Sequence, residues 1–259
     1  MKLSIYQVDA FTGTVFSGNP AAVVPLKEWL SDDLMQKIAT ENNLSETAFF
    51  APEGDMYRIR WFTPEAEVDL CGHATLATAY VMFTLLNTGL SEVRFHSRSG
   101  ILGVSRKDDL LTMDFPSQPP SSCPVPEDLA QGLGGNPVEV LRSEDYFVVY
   151  ESEKDIRALK PDMTLLSRLD LRGVIVTAPG SHADFVSRFF APRYGIPEDP
   201  VTGSAHCALV PYWAKRLGKK DLHALQVSKR GGELFCVNSG DRVKISGRAA
   251  LYLTGTIMV

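Results

Sequence analysis

Asp199-Pro200-Val201-Thr202-Gly203-Ser204-Ala205-His206 runs straight into a helix-period pattern, and the chain carries an echo of it at Asp69-Leu70-Cys71-Gly72-His73-Ala74-Thr75. Each stretch reads as a tight turn that opens a helix. Ala74, Ala77, Tyr80, Val81 and Leu85 recur at spacings of three and four after the first turn, as do Ala205, Ala208, Leu209, Tyr212, Trp213 and Leu217 after the second. Upstream the echo continues, with Arg60-Trp61-Phe62-Thr63-Pro64 before one turn and Arg188-Phe189-Phe190-Ala191-Pro192 before the other. An aromatic strand that ends at proline, loops and turns into a small-residue helix therefore occurs twice, which predicts two similar halves.

A helix N-terminus presents unpaired N–H groups and about half a positive charge. Two such ends, opened by Gly72-His73 and Gly203-Ser204, predict a site for a small anion held between them. Glycine lets the backbone approach a ligand closely, and the His, Thr and Ser side chains add donors. The plainer reading makes Gly72 and Gly203 turn residues and Thr202 or Ser204 ordinary N-caps. Duplication of the motif favours the shared ligand.

The 259 residues suffice for one large or two small domains, with the apolar and charged fractions of a soluble globular protein. A net charge of −5 supplies no basic surface for nucleic acid or anionic membrane, so a small-molecule partner is expected. Met1-Lys2-Leu3-Ser4-Ile5 leads into an alternating strand rather than a signal peptide, and no apolar run approaches a membrane span. A cytoplasmic location is expected. Cys71, Cys123, Cys207 and Cys236 are scattered, without paired Cys or His spacing, which predicts reduced thiols and no metal site.

Strand signals outnumber helix signals in both halves, with no strand-helix alternation, so each half is expected to be a curved antiparallel sheet around one long helix. Pro116-Ser117-Gln118-Pro119-Pro120-Ser121-Ser122-Cys123-Pro124 reads as the linker, giving domains over residues 1–116 and 117–248, with a strand at about 249–259 returning to the first. In Leu44-Ser45-Glu46-Thr47-Ala48-Phe49-Phe50, period two puts Glu46 on a face with Leu44, Ala48 and Phe50. A carboxylate among apolar neighbours is costly unless paired, protonated or used, and a general base is one such use; the alternative is an edge-strand Glu facing water.

Phe16-Ser17-Gly18-Asn19-Pro20-Ala21-Ala22-Val23, Ser45-Glu46-Thr47-Ala48-Phe49, Arg60-Trp61-Phe62-Thr63-Pro64, Cys71-Gly72-His73-Ala74-Thr75, Phe190-Ala191-Pro192 and Glu198-Asp199-Pro200-Val201-Thr202-Gly203-Ser204-Ala205-His206 together resemble the phenazine-biosynthesis PhzF-like proteins. The match runs from near the first residue to Gly231-Gly232-Glu233-Leu234. The resemblance implies an α+β fold of the diaminopimelate-epimerase type: two pseudo-symmetric β-roll domains, each wrapped on a central helix, a site in the cleft between them, and commonly a homodimer. It implies an isomerase that works on a small carboxylate-bearing metabolite without metal or cofactor. By motif, Glu46 matches the catalytic base, His73, Asp199 and Ser204 the other catalytic residues, and Asn19, Gly72, Ala74, Gly203 and Ala205 contacts of the substrate. The epimerases proper need two opposed thiols, whereas here Cys71 alone lies at such a motif and Val201 and Thr202 stand where its partner would be. Two alternatives remain open: a non-catalytic metabolite-binding or protein-interaction module, and a Cys71 thiol enzyme. The second is disfavoured because residues two apart seldom pair a thiol with its base and no third residue is seen to orient His73.

Overall fold

The protein is described by a computed structural model covering residues 1–259, which divides into two compact units, Met1–Asp114 with Ser246–Val259, and Phe115–Ile245. In the first unit the order is β1 (Lys2–Ala10), β2 (Asn19–Pro25), α1 (Asp32–Asn42), β3 (Glu46–Glu53), β4 (Met56–Phe62), β5 (Glu67–Val68), α2 (Gly72–Val81), β6 (Glu92–Ser97), β7 (Gly100–Lys107) and β8 (Leu110–Pro116). The second holds β9 (Ser121–Ser122), α3 (Glu127–Leu133), β10 (Glu139–Arg142), β11 (Tyr146–Val149), α4 (Glu153–Ala158), α5 (Met163–Leu166), β12 (Val174–Pro179), β13 (Phe185–Ala191), β14 (Ile196–Asp199), α6 (His206–Leu217), β15 (Asp221–Gln226), β16 (Gly232–Asn238) and β17 (Arg242–Gly247). The last strand, β18 (Ala249–Met258), pairs antiparallel with β1 in the first unit. No helix is long and apolar enough to cross a membrane.

The sheets are mixed rather than antiparallel as expected, and the internal repeat shows in how they are mixed. In the first unit β1–β2 is antiparallel, β2–β3 parallel, β3–β4 antiparallel, β4–β6 parallel and β6–β7 antiparallel. In the second, β10–β11, β11–β12, β12–β13, β13–β15 and β15–β16 follow the same sequence. A parallel pair needs a crossover, usually helical, and in each unit α2 or α6 makes the second one. Composition revealed many strands but not which successive pairs are separated by helices.

α2 is buried almost all round, from His73 to Val81, which is why its residues are small and apolar on every face rather than on one stripe. The spacing predicted a helix reaching Leu85; the regular helix stops at Val81 and the chain continues as a π-helical turn over Met82–Leu86, leaving Leu85 exposed. α1 behaves as its sequence asked: Ser31 Oγ accepts from Leu34 N, Asp32 and Asp33 sit in the first turn, and Asn43 closes it in the left-handed conformation. Its Met35, Ile38 and Ala39 form one cluster with Phe49 and Ala51 of β3. Strand alternation then turns Glu46 and Ala48 to the opposite face, where α2 also meets β3. Leu44 was expected to share that face, but it precedes the strand and packs with the α1 cluster.

α6 begins later than expected. Its first helical residue is His206, and Gly203, Ser204 and Ala205 form a tightened turn with three-residue bonds from His206 N to Gly203 O and Cys207 N to Ser204 O. Neither Thr202 nor Ser204 is an N-cap, since the cap position is Ala205 and carries no side-chain bond. α5 covers only Met163–Leu166, capped by Asp162, whose side chain accepts from Thr164 N and Leu165 N. The helix α4, set by a capping box between Ser152 and Asp155, was not anticipated.

Candidate active site

In the first unit three elements bring their ends together: the start of β2, the start of β3 and the N-terminus of α2. Asn19 is the first residue of β2, delivered by Gly18 at φ +66°, where any Cβ would collide with the carbonyl oxygen of Ala10. Glu46 opens β3, held beside β2 through the parallel pairing of Ala21 with Glu46. His73 is the second residue of α2, and Cys71 is its N-cap in extended conformation, offering no side-chain cap. The first-turn N–H groups of α2 are thus without a side-chain cap, as a ligand-binding helix end requires.

These four side chains converge on the His73 ring. Its Nε2 lies 3.0 Å from Glu46 Oε2, and its Nδ1 lies 3.2 Å from Asn19 Nδ2 and 3.5 Å from Cys71 Sγ. Ser45 Oγ donates to Asn19 Oδ1 at 3.2 Å, so the residue before Glu46 orients the amide that faces the imidazole. The Glu46 and His73 side chains are only 12% and 7% exposed. Glu46 Oε2 and His73 Nε2 are both fully buried and face each other, with no further polar partner for either. Residues two apart were expected seldom to pair a thiol with its base, and no third residue was seen beside His73; here the Cys71 sulfur lies against Nδ1 and the Glu46 carboxylate beside the other ring nitrogen.

Electrostatics separate the thiol from the imidazole. Burial first, then the nearby Glu46 carboxylate, pushes the Cys71 thiol up to about 11. It is a neutral thiol near pH 7. Burial works against a charged His73 ring, but the Cys71 sulfur and the Glu46 carboxylate outweigh it and raise its pKa. With Cys71 protonated, the carboxylate is the charge that does so at neutral pH.

In the second unit the turn that leads into α6 is held by a different set. Thr202 Oγ1 donates to Asp199 Oδ2 at 2.5 Å, while Gln226 of β15 accepts from Thr202 N at 2.8 Å and donates to Asp199 O at 2.8 Å. Ser204 Oγ receives a bond of 3.2 Å from Arg172, whose guanidinium is clamped by both oxygens of Asp145, at 3.0 and 2.5 Å, and lies over the Phe189 ring. Since Arg172 occupies a lone pair of Ser204, the hydroxyl proton is left to donate elsewhere. His206 is fully buried, with Nδ1 2.9 Å from Thr202 O, and burial holds its ring down at about 4. Cys207 behind the turn is pushed up to about 12 by burial and the Glu144 charge. It is a small buried residue, as expected.

The structure therefore groups Asn19, Glu46, Gly72, His73 and Ala74 in one unit, and Asp199, Gly203, Ser204 and Ala205 in the other. Ser45, Arg172, Asp145 and Gln226 were missed. Ser45 stood inside a quoted motif, but the others lie on separate strands or loops and carried no local signal.

Comparison with known proteins now adds to the geometry. The family profile described as phenazine biosynthesis-like protein, PhzC-PhzF, matches residues 8–255. An uncharacterized isomerase of Pseudomonas aeruginosa is 57% identical over 99% of each chain. The crystal structure of a PhzF-family phenazine biosynthesis protein from Enterococcus faecalis matches with a TM-score of 0.98 at 48% identity, covering 100% of both chains. A hydroxyproline epimerase from Agrobacterium vitis shares the fold alone, with a TM-score of 0.60 at 11% identity over 99% of this chain and 92% of its own. The α+β epimerase-type fold expected from the sequence is the fold found.

Proposed function

The chain belongs to the phenazine biosynthesis-like PhzF family, and from that membership and the Glu46–His73 geometry we propose that it is an isomerase that moves a proton, and with it a double bond, within a small carboxylate-bearing metabolite. The observation that carries this reading is the Glu46 carboxylate lying 3.0 Å from the buried Nε2 of His73 at the head of α2. Moving a double bond needs a base at a weakly acidic C–H, an acid to return the proton, and fixed donors where charge develops. Glu46 takes the proton. His73, whose pKa is raised beside that carboxylate, returns or relays it. The N–H groups of the first turn of α2, which carry no side-chain cap, receive the carboxylate. This chemistry uses only the chain's own acids and bases.

Soaking crystals with a panel of small aromatic and amino-acid carboxylates tests the binding half of the proposal. The expected result is one carboxylate bonded to the backbone N–H groups of Gly72 to Ala74. A carboxylate that binds tightly and touches none of them contradicts it.

One observation favours a second reading. Cys71, His73 and Glu46 stand in the order thiol, imidazole, carboxylate, the arrangement of a thiol nucleophile with an oriented base. Against it stands the thiol itself, neutral and pushed up to about 11 by burial.

A further inference from the structure

We propose that Glu46, Cys71 and His73 form a binding site for a soft divalent cation, Zn²⁺ or Co²⁺, and that occupation of this site switches the isomerase off. The three side chains offer one carboxylate oxygen, one sulfur and one ring nitrogen, all within 4.8 Å of one another, from residues that are buried or nearly so. His73 binds through Nδ1, the ring nitrogen that the Cys71 sulfur faces, and its side chain is only 7% exposed. Glu46 Oε2 is buried with no polar neighbour in contact but the other ring nitrogen, and a cation gives that oxygen a partner.

Distances favour a small tetrahedral ion. Bonds of about 2.3 Å to sulfur and about 2.0 to 2.2 Å to nitrogen and oxygen put neighbouring donors roughly 3.3 to 3.6 Å apart. Cys71 Sγ and His73 Nδ1 already stand 3.5 Å apart. The remaining adjustment is a swing of the Glu46 carboxylate, now beside Nε2, toward the Nδ1 edge of the ring by rotation about its side-chain torsions. Three protein ligands leave the fourth position for water. The ligand set also fixes the kind of metal: thiolate and imidazole suit Zn²⁺ and Co²⁺, whereas Mg²⁺ and Ca²⁺ take oxygen ligands. Binding displaces the Cys71 proton to solvent and forms a metal–sulfur bond, with no change of oxidation state.

The consequence for activity rests on the reading of Glu46 as base. A carboxylate whose lone pair is coordinated cannot accept a proton from carbon, so the metal-bound protein is inactive. The binding itself does not rest on that reading, and the two can fail separately.

Titration of metal-stripped, tag-free protein with Co²⁺, followed by absorption, provides the test. The expected spectrum has a near-ultraviolet thiolate-to-cobalt charge-transfer band and visible bands of a tetrahedral ion at one equivalent. Cys71→Ser abolishes the charge-transfer band, and Glu46→Gln and His73→Asn each weaken binding by about tenfold or more, since loss of a mere outer-sphere partner already costs that much. Cys123→Ala, at a thiol outside the site, leaves the spectrum unchanged. Retained thermal unfolding transitions show that the conservative variants fold. Absence of the charge-transfer band in wild type, or its survival in Cys71→Ser, overturns the proposal. In an isomerase assay, Zn²⁺ inhibits with the half-saturation measured by competition against Co²⁺; binding without inhibition of an active enzyme refutes the switch, and binding to a protein that isomerises nothing counts against the isomerase reading instead.

Discussion

Acidification should destabilise this protein through a residue that takes no part in the proposed chemistry. His206, the first residue of α6, is fully buried and donates from Nδ1 to the Thr202 carbonyl, while Nε2 has no partner and the ring packs 5.9 Å from Phe185. A second proton on this ring would be buried unpaired at the positive end of a helix. Burial holds the folded-state pKa at about 4, below the ordinary 6.5. Because the folded pKa is depressed, the unfolded chain binds the proton more readily, and stability falls as pH drops from 6.5 to about 4, below which the loss is complete. At 1.36 kcal/mol per pKa unit, the displacement corresponds to about 3 kcal/mol. That is a large share of the roughly 5–15 kcal/mol typical of a folded protein. His206→Asn keeps an N–H near the Nδ1 position and removes the titration, at the cost of a cavity that is the same at every pH. Urea unfolding of both proteins from pH 8 to pH 4 isolates the effect, because groups such as His73 titrate in both. Wild type should lose about 3 kcal/mol more than His206→Asn between pH 7 and pH 4. Parallel curves would refute the reasoning, and with it the picture of a dry, neutral imidazole bracing the turn that carries Ser204.

Two further substitutions probe the frame around the site. Gly18→Ala forces an L-residue to φ +66° with its Cβ against the Ala10 carbonyl and 2.7 Å from Thr12 Cγ2, and should cost about 2–5 kcal/mol, read as a lowered melting temperature; an unchanged melting temperature contradicts the close approach. Arg188→Lys keeps the charge but loses the fork that grips Glu198 at 2.7 and 3.0 Å and leaves the Ile156 and Leu159 carbonyls without their shared donor, for about 2 kcal/mol in denaturant unfolding; an equally stable variant would show the fork to be dispensable.

How much of this was legible in the chain depends on the range of the signal. The duplicated stretches around Gly72 and Gly203 are local, and they did mark the two equivalent crossover helices. Where α6 begins was not legible, because Gly203 to Ala205 close by three-residue bonds that small residues permit but do not announce. Strand alternation put Glu46 opposite the α1 cluster, yet Leu44 two residues earlier follows the loop instead of the strand. The contact of Cys71 with His73 depends on the extended backbone at the N-cap, φ −144°, a fact about one dihedral rather than about residue types. Arg172, Asp145 and Gln226 reach the second turn from loops and a strand far away in sequence, and single-sequence patterns carry no such long-range pairing. The parallel pairings were invisible for the same reason.

The central claim is that Glu46 moves the proton, and solvent deuterium exchange into a bound substrate or analogue tests it most directly. Wild type, Glu46→Gln and Cys71→Ala are compared under identical conditions with the carboxylate that the soaking panel identifies. Glu46→Gln keeps shape and removes the basic lone pair, so exchange should fall by about 10²- to 10⁴-fold while the ligand still binds, and Cys71→Ala should continue to exchange. Full exchange in Glu46→Gln, with loss of exchange in Cys71→Ala, would contradict the account and move the chemistry to the thiol.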